Sequence, residues 1–225
     1  MSRIVVKLSG SLFDREAGPR AFTPFVRLFR NVIEGGVQLV LVAGGGRAAR
    51  RYIDLARRLG GDEATLDAIG IEVARLNARL LVTALGESAH PAVPKDLDET
   101  AHAVLAGRIV VVGGFHPGHS TNAVAALVAE RIRAGLLVNG TDVNGVYTAD
   151  PRTHRDATRL RRVTTKELGR ILGETSVHAG SYELMDPLAL RIISRSRIKA
   201  RIVKCDAKSI GAAIHGRPVG TLILP

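Results

Sequence analysis

A chain of 225 residues that is 46% apolar and 24% charged carries enough apolar material for a buried core and excludes global disorder. One cysteine, Cys205, excludes an intrachain disulfide framework and a cysteine-built zinc cage, and points to a reducing cytoplasmic compartment. The net charge of +11, carried by 26 arginines against 6 lysines, attracts anions: nucleic acid, acidic lipid or phosphorylated metabolites.

No apolar run approaches the length of a membrane span, and the opening MSRIVVKLSG lacks the pattern of a secretory leader, so no membrane partner is expected. With 4% aromatics and no tryptophan, stacking platforms for bases are hard to build, and the basic residues are scattered. No specific nucleic-acid partner is therefore expected.

The elements alternate along the chain. Ile4 to Leu8 reads as a short buried strand, and Phe22 to Ile33 as a helix stopped by Gly35-Gly36. Val37 to Val42 is a second strand, ending in Gly44-Gly45-Gly46. Arg47 to Leu59 reads as a helix, and Glu63 to Leu85 as a long one broken softly at Gly70. A helix over Asp96 to Leu105 leads to a strand at Ile109 to Val112 and the pair Gly113-Gly114. Thr121 to Arg133 is helical, Leu136 to Val138 a strand, and Asn139 to Arg155 a polar loop. Helices over Thr165 to Leu172 and Asp186 to Ser196 follow. A strand at Ala200 to Lys204, a helix at Ala207 to His215 and a strand at Thr221 to Leu224 complete the chain. Short apolar strands alternating with helices predict an α/β sandwich around a largely parallel sheet, as one unit with two lobes.

Three strand ends carry glycine: Ser9-Gly10-Ser11, Gly44-Gly45-Gly46 and the run from Gly113 to Thr121. Ligands of open parallel sheets bind beyond the carboxyl ends of strands, and glycine lets backbone N–H groups approach a phosphate closely. Neither G-x-x-x-x-G-K-[ST] nor G-x-G-x-x-G occurs, which disfavours a P-loop kinase and a dinucleotide dehydrogenase. Lys7 interrupts an apolar strand immediately before a glycine turn. A lysine there is costly unless paired, and its tip reaches the strand end, where it can neutralise a transferring phosphoryl group. His116 and His119 form a lone His-x-x-His without a third ligand, so no metal site is assigned.

Four segments together carry a resemblance: Lys7 to Ser11, Gly44 to Arg50, Gly113 to Thr121 and Thr141 to Pro151. Asp67 to Ile71, Arg75 to Ala78 and Ala179 to Ala189 also fit it. The chain resembles the amino acid kinase fold and, within it, the archaeal-type uridylate (UMP) kinases, from about Arg3 to Pro225. The resemblance implies a three-layer αβα sandwich, with an acceptor-binding lobe over about 1–135 and an ATP-binding lobe over about 136–225. It implies phosphoryl transfer from ATP, which carries Mg²⁺, to UMP in pyrimidine nucleotide biosynthesis, by a homohexamer built from dimers.

Carried over by position, Lys7 and Arg50 would be the catalytic cations. Gly10, Ser11, Gly46 and Arg50 would hold the ATP phosphates, and Thr141, Asp142, Tyr147 and Asp150 its adenosine. Gly45, Asp67 and the loop Phe115, His116, Pro117, Gly118, His119, Ser120 and Thr121 would hold UMP. Two departures stand out: Asn122 replaces an aspartate of many relatives, and Asp142 and Asn144 are exchanged relative to Thr-Asn-Val-Asp-Gly-Val-Tyr. The alternatives are a kinase of the same fold for another small anion, such as isopentenyl phosphate, carbamate or an acidic amino acid, and a catalytically weak regulatory or nucleic-acid-binding member.

Overall fold

The computed structural model describes residues 2–14, 18–149, 151, 153–175 and 184–225. Within them, strands β1 (Arg3–Leu8), β2 (Gln38–Ala43), β3 (Val110–Val112), β4 (Leu136–Thr141), β5 (Arg162–Thr164), β6 (Ala200–Lys204) and β7 (Thr221–Leu224) form one sheet. Its order is β3-β2-β1-β4-β6-β7-β5. The pairs β1–β2, β2–β3, β1–β4 and β4–β6 are parallel, whereas β7 runs antiparallel to β6 and β5 pairs with β7 in parallel. Every residue of β2 and β3 is buried, the pattern of parallel strands covered on both faces.

The helices are α1 (Thr23–Glu34), α2 (Gly46–Arg58), α3 (Glu63–Leu85), α4 (Leu97–Val104), α5 (Thr121–Arg131), α6 (Thr165–Thr175), α7 (Pro187–Arg195) and α8 (Ala207–Ile214). Because successive strand residues point to opposite faces, β1 splits its side chains between two cores. Ile4, Val6 and Leu8 pack with Phe25 and Phe29 of α1, Leu81 and Leu85 of α3, and Ile210 of α8. Val5 packs on the other side with Val124 and Val128 of α5, Leu168 of α6 and Ile192 of α7. The result is a three-layer αβα sandwich, with α2 packed on α3. Helix α5 buries Ala123 to Ala126, Val128 and Ala129, and these small side chains let it lie close against β1.

Aspartate or serine caps fix where several helices start. Asp62, Asp96, Ser120, Asp186 and Asp206 each accept backbone N–H bonds in the first turn of α3, α4, α5, α7 and α8. Four features differ from the sequence reading. Helix α3 runs unbroken through Gly70, whose missing Cβ leaves room for Ile53 of α2. Strand β4 continues to Thr141 rather than stopping at Val138. Asn139 is tolerated there because its Nδ2 donates to the Leu184 carbonyl at 2.8 Å, and Gly140 because Cys205 packs tightly over it. Strand β5 is an additional element that its single apolar residue, Val163, does not announce. The last two strands of the sheet reverse direction.

Helices α5 and α7 are joined at their C-terminal ends by a two-pronged ion pair. Arg195 Nε and one terminal nitrogen donate to the Glu130 carboxylate at 3.1 and 2.8 Å, and the Ser196 hydroxyl donates to it as well. The Arg195 hydrogen bond leads in holding the Glu130 carboxyl below its ordinary value; partial burial opposes it, and Ser196 and the Arg195 charge assist. A carboxyl with a depressed folded-state pKa stabilises the fold above its unfolded pKa and loses that contribution as pH falls through the folded value. Glu130→Gln should therefore lower the melting temperature at neutral pH and flatten its fall below the ordinary glutamate range, as read from thermal melts across pH.

Candidate active site

The chain leaves β1 for β2 and β3 on one side, then returns to β4 on β1's other side, so the sheet's switch point lies between β1 and β4. Crevices at such points, outside the carboxyl ends of the strands, bind ligands in open α/β sheets. The turns after β1, β2, β3 and β4 all leave from this one edge, because those strands are mutually parallel.

The first two turns touch backbone to backbone. A Cβ on Gly10 would lie 2.0 Å from the Gly46 nitrogen, and one on Gly44 would lie 2.8 Å from the Gly10 nitrogen. Gly46, which opens α2, also has φ +69°, a conformation costly for any other residue. Gly113 and Gly114 let the β3 end lie against the backbone of α3 at Ala74, Arg75 and Ile71, and Gly114 also lines the cavity described below.

Helix α3 holds the turns in place. Buried Asn77 donates from Nδ2 to the carbonyls of Gly44 at 2.8 Å and Gly45 at 3.3 Å. Arg75 donates to the carbonyls of Gly114 at 3.1 Å and Phe115 at 3.2 Å. Asp67 accepts the Gly118 N–H at 2.6 Å, which pins the tip of the β3–α5 loop. At the N-terminus of α2, the Asp14 carboxylate accepts the Arg47 N–H at 2.8 and 2.9 Å. The sequence reading missed Asp14, Arg75 and Asn77 as site-building groups. For Asn77 a signal exists: it is a polar residue on the buried stripe of α3, between Ala74 and Leu81.

Lys7 lies near the end of β1, in register with Val42 and Asn139 of its neighbours. Across the switch point, Asp142 Oδ1 accepts the hydroxyls of Ser11 at 2.6 Å and Ser9 at 3.0 Å. Partial burial pushes the Asp142 carboxyl up. The Ser11 and Ser9 hydrogen bonds and the charges of Lys7 and Arg50 outweigh it, and the net shift is downward. Thr141 is buried at the end of β4, its hydroxyl donating to the Val143 carbonyl at 2.9 Å, and Tyr147 is half-buried against the core. Asp150 lies outside the described residues, as does 179–183 of the Ala179 to Ala189 segment.

A cavity of about 230 Å³ opens beside this crevice. Gly45, Gly46, Arg50, Asp67, His119, Ser120 and Thr121 line it together with Ile53, Ile71 and Ala74, so a polar rim surrounds an apolar wall. His116, Pro117 and Gly118 are exposed on the loop above it, with His116 edge-on to His119. Phe115 turns its ring into the core and offers the site only backbone. The Ser120 hydroxyl accepts from Asn122 and Ala123 N–H and donates to Asp186, which itself caps α7. One hydroxyl therefore links the first turns of two helices.

Buried side-chain atoms without a hydrogen-bond partner among the described residues are His119 Nδ1, Asn122 Oδ1, Asn139 Oδ1 and Asn144 Oδ1. They belong to the β3–α5 loop, to the first turn of α5, or to β4 and its following turn, where unpaired polar atoms mark a place suited to a polar ligand. Among the described residues no three His, Cys, Asp or Glu side chains gather into a metal-sized cluster, and no helix is long and apolar enough to cross a membrane.

A glycine-lined edge at the switch point of the sheet defines a phosphate-binding class of α/β protein, and comparison with known proteins narrows it. The amino acid kinase family matches residues 2–204, and the chain belongs to it. Within that family its likeness runs to archaeal uridylate kinases. It is 42% identical to the uridylate kinase of Sulfurisphaera tokodaii and 43% identical to that of Methanothermobacter thermautotrophicus, each over 99% of both chains. The crystal structure of uridylate kinase from Archaeoglobus fulgidus superposes with a TM-score of 0.88 at 38% identity, covering 99% of this chain and 100% of that one. The UMP kinase of Bacillus anthracis, at 21% identity, shares the fold with a TM-score of 0.82 over 99% of this chain and 96% of that one.

The Gly10–Gly46 contact can be tested directly. Gly10→Ala places a methyl group against backbone that has nowhere to go, so it should cost about 3 kcal/mol or more in urea unfolding, the upper range of overpacking. Gly173→Ala, in helix α6 with nothing among the described residues within 4 Å of its added carbon, should instead stabilise by up to about 1 kcal/mol.

Proposed function

We propose that the protein transfers the γ-phosphoryl group of ATP to UMP, giving UDP and ADP. The observation that carries the reading is the close meeting of the glycine turns after β1 and β2 beside a polar-rimmed cavity lined by Arg50, Asp67, Ser120 and Thr121. Full-length identity to archaeal uridylate kinases supports the choice of acceptor.

In this reading ATP, bringing its Mg²⁺, lies over the turns after β1 and β2, with Gly10, Ser11, Gly46 and Arg50 at its phosphates. Thr141, Tyr147 and Asp150 attend its adenosine. UMP occupies the cavity, with Gly45, Asp67 and the 115–121 loop around it. An oxygen of the UMP phosphate attacks the γ-phosphorus as the bond to the ADP oxygen breaks. That nucleophile is already ionised at neutral pH, so no side chain has to remove a proton. Catalysis then rests on alignment and on cations that meet the charge spreading over the transferring group. This accommodates Asn122, which carries no charge. The 1–135 and 136–225 lobes divide acceptor from donor only in part, since the β1 and β2 turns belong to the donor half.

The apolar wall of Ile53, Ile71 and Ala74 favours one second reading, a small phosphate acceptor with an apolar body such as isopentenyl phosphate. ADP release measured side by side with UMP, CMP, AMP, GMP and isopentenyl phosphate separates them. UMP should be the fastest acceptor, and Lys7→Ala should lower its kcat by about 10²–10³-fold, as for a removed transition-state donor. A faster turnover of isopentenyl phosphate, or a near-normal Lys7→Ala, would refute the assignment.

The work is done in the cytoplasm, in pyrimidine nucleotide synthesis, by a homohexamer built from dimers. Large apolar side chains exposed on α2, at its C-cap and on α3 support the assembly: Tyr52, Leu55, Leu59, Leu76 and Leu80. The double variant Leu55→Asp/Leu80→Asp should sediment as a smaller species than the wild type while keeping its secondary structure.

A further inference from the structure

We infer that Asp142 is a positioning residue of the donor half, which ties the turn after β1 to the turn after β4 and holds Lys7 and Arg50 aligned for the transferring phosphoryl group. The inference rests on the phosphoryl-transfer reading above, and it replaces the adenosine contact that family resemblance implies for this position.

The proton count supports it. Each serine hydroxyl has one proton to give. Ser11 lies 2.6 Å from Asp142 Oδ1 and 3.0 Å from Ser9 Oγ, and the shorter bond to the ionised acceptor takes its proton. The Ser9 hydroxyl donates to the same oxygen at 3.0 Å while accepting the Ser11 N–H at 3.3 Å. Both hydroxyls of the turn therefore point at Asp142 rather than at an incoming phosphate. What the turn offers a phosphate is its backbone, whose shape Asp142 sets from across the switch point.

Charge supports it as well. Lys7 comes from β1 and Arg50 from α2, and both act on the Asp142 carboxyl strongly enough to help keep it ionised. A carboxylate fixed at the switch point by two hydroxyls gives these cations a negative charge to orient on until the triphosphate arrives. The location agrees. The carboxylate is bound through Oδ1 to the turn beside Lys7. A bare carboxylate beside a polyanionic donor would oppose binding, and here Lys7 and Arg50 balance it.

Asp142→Asn keeps the shape and an oxygen able to accept both hydroxyls, and removes the charge. The expected result is a kcat lower by about 10–10²-fold, the scale of a small misplacement of reacting groups, with KM for ATP within about threefold of the wild type. Calorimetric titration with Mg²⁺ and adenylyl imidodiphosphate should give an affinity equal to or tighter than that of the wild type. Ser11→Ala should lower kcat in the same direction. The double variant should lose no more than the worse single one, because both changes break one link. A kcat within twofold of the wild type in Asp142→Asn would overturn the inference. So would a tenfold weaker analogue affinity with kcat unchanged, which is the signature of an adenosine contact, and so would losses that add in the double variant. If the wild-type chain leaves UMP untouched, the choice of acceptor falls instead. The analogue titration needs no acceptor and still judges Asp142.

Discussion

The molecule depends on the direct contact of two backbones, at Gly10 and Gly46. With a Cβ on Gly10 only 2.0 Å from the Gly46 nitrogen, no other residue fits without moving a turn. That closeness sets the separation of the β1 and β2 turns, and so the width of the floor on which an anion can rest. It also aims the start of α2 at the switch point, which carries Arg50 to the lining of the cavity. Sheet order supplies the rest, by bringing the β4 turn and Asp142 to the other wall.

Helix α3 acts as the frame for the acceptor side. Along one helix, Asp67 holds the tip of the β3–α5 loop, Arg75 its base and Asn77 the β2 turn. Each bond goes to backbone, so the loops keep a defined course while their own side chains stay available to a ligand. The link from Ser120 to Asp186 extends the frame to α7. An anion that drew the Ser120 proton away would loosen a bond between two helix caps, and binding would be felt in the layer behind the sheet.

Much of this was legible in the sequence because it depends on local contrast. Lys7 stands out as a charge within an apolar strand, and the glycines stand out at strand ends. The alternation of short apolar runs with helices identifies the sandwich. What was not legible depends on partners far along the chain. The resemblance marks Asp142 as an adenosine contact, but its bonds to Ser9 and Ser11 show only once β4 is known to lie beside β1, and local pattern does not state strand order. Asp14 and Arg47 are 33 residues apart and meet only after α2 folds back. The reversal of β7 leaves no trace in its alternation, since a strand buries the same side chains in either direction. Strand β5, with a single apolar residue, falls below any periodic signal. For Gly113 and Gly114, local pattern does not announce the close approach to α3 that their missing side chains allow.

The borders of the sheet carry a further meaning. Both outermost strands, β3 and β5, are three residues long, and the β3 side continues into a short bridge between Ala89 and Ile109. A neighbouring copy finds too few open amides there to prolong the ladder. Growth by strand addition is thereby discouraged, which leaves the helical flanks as the route by which copies of this chain can meet and protects a protein with so apolar a centre from fibrous association.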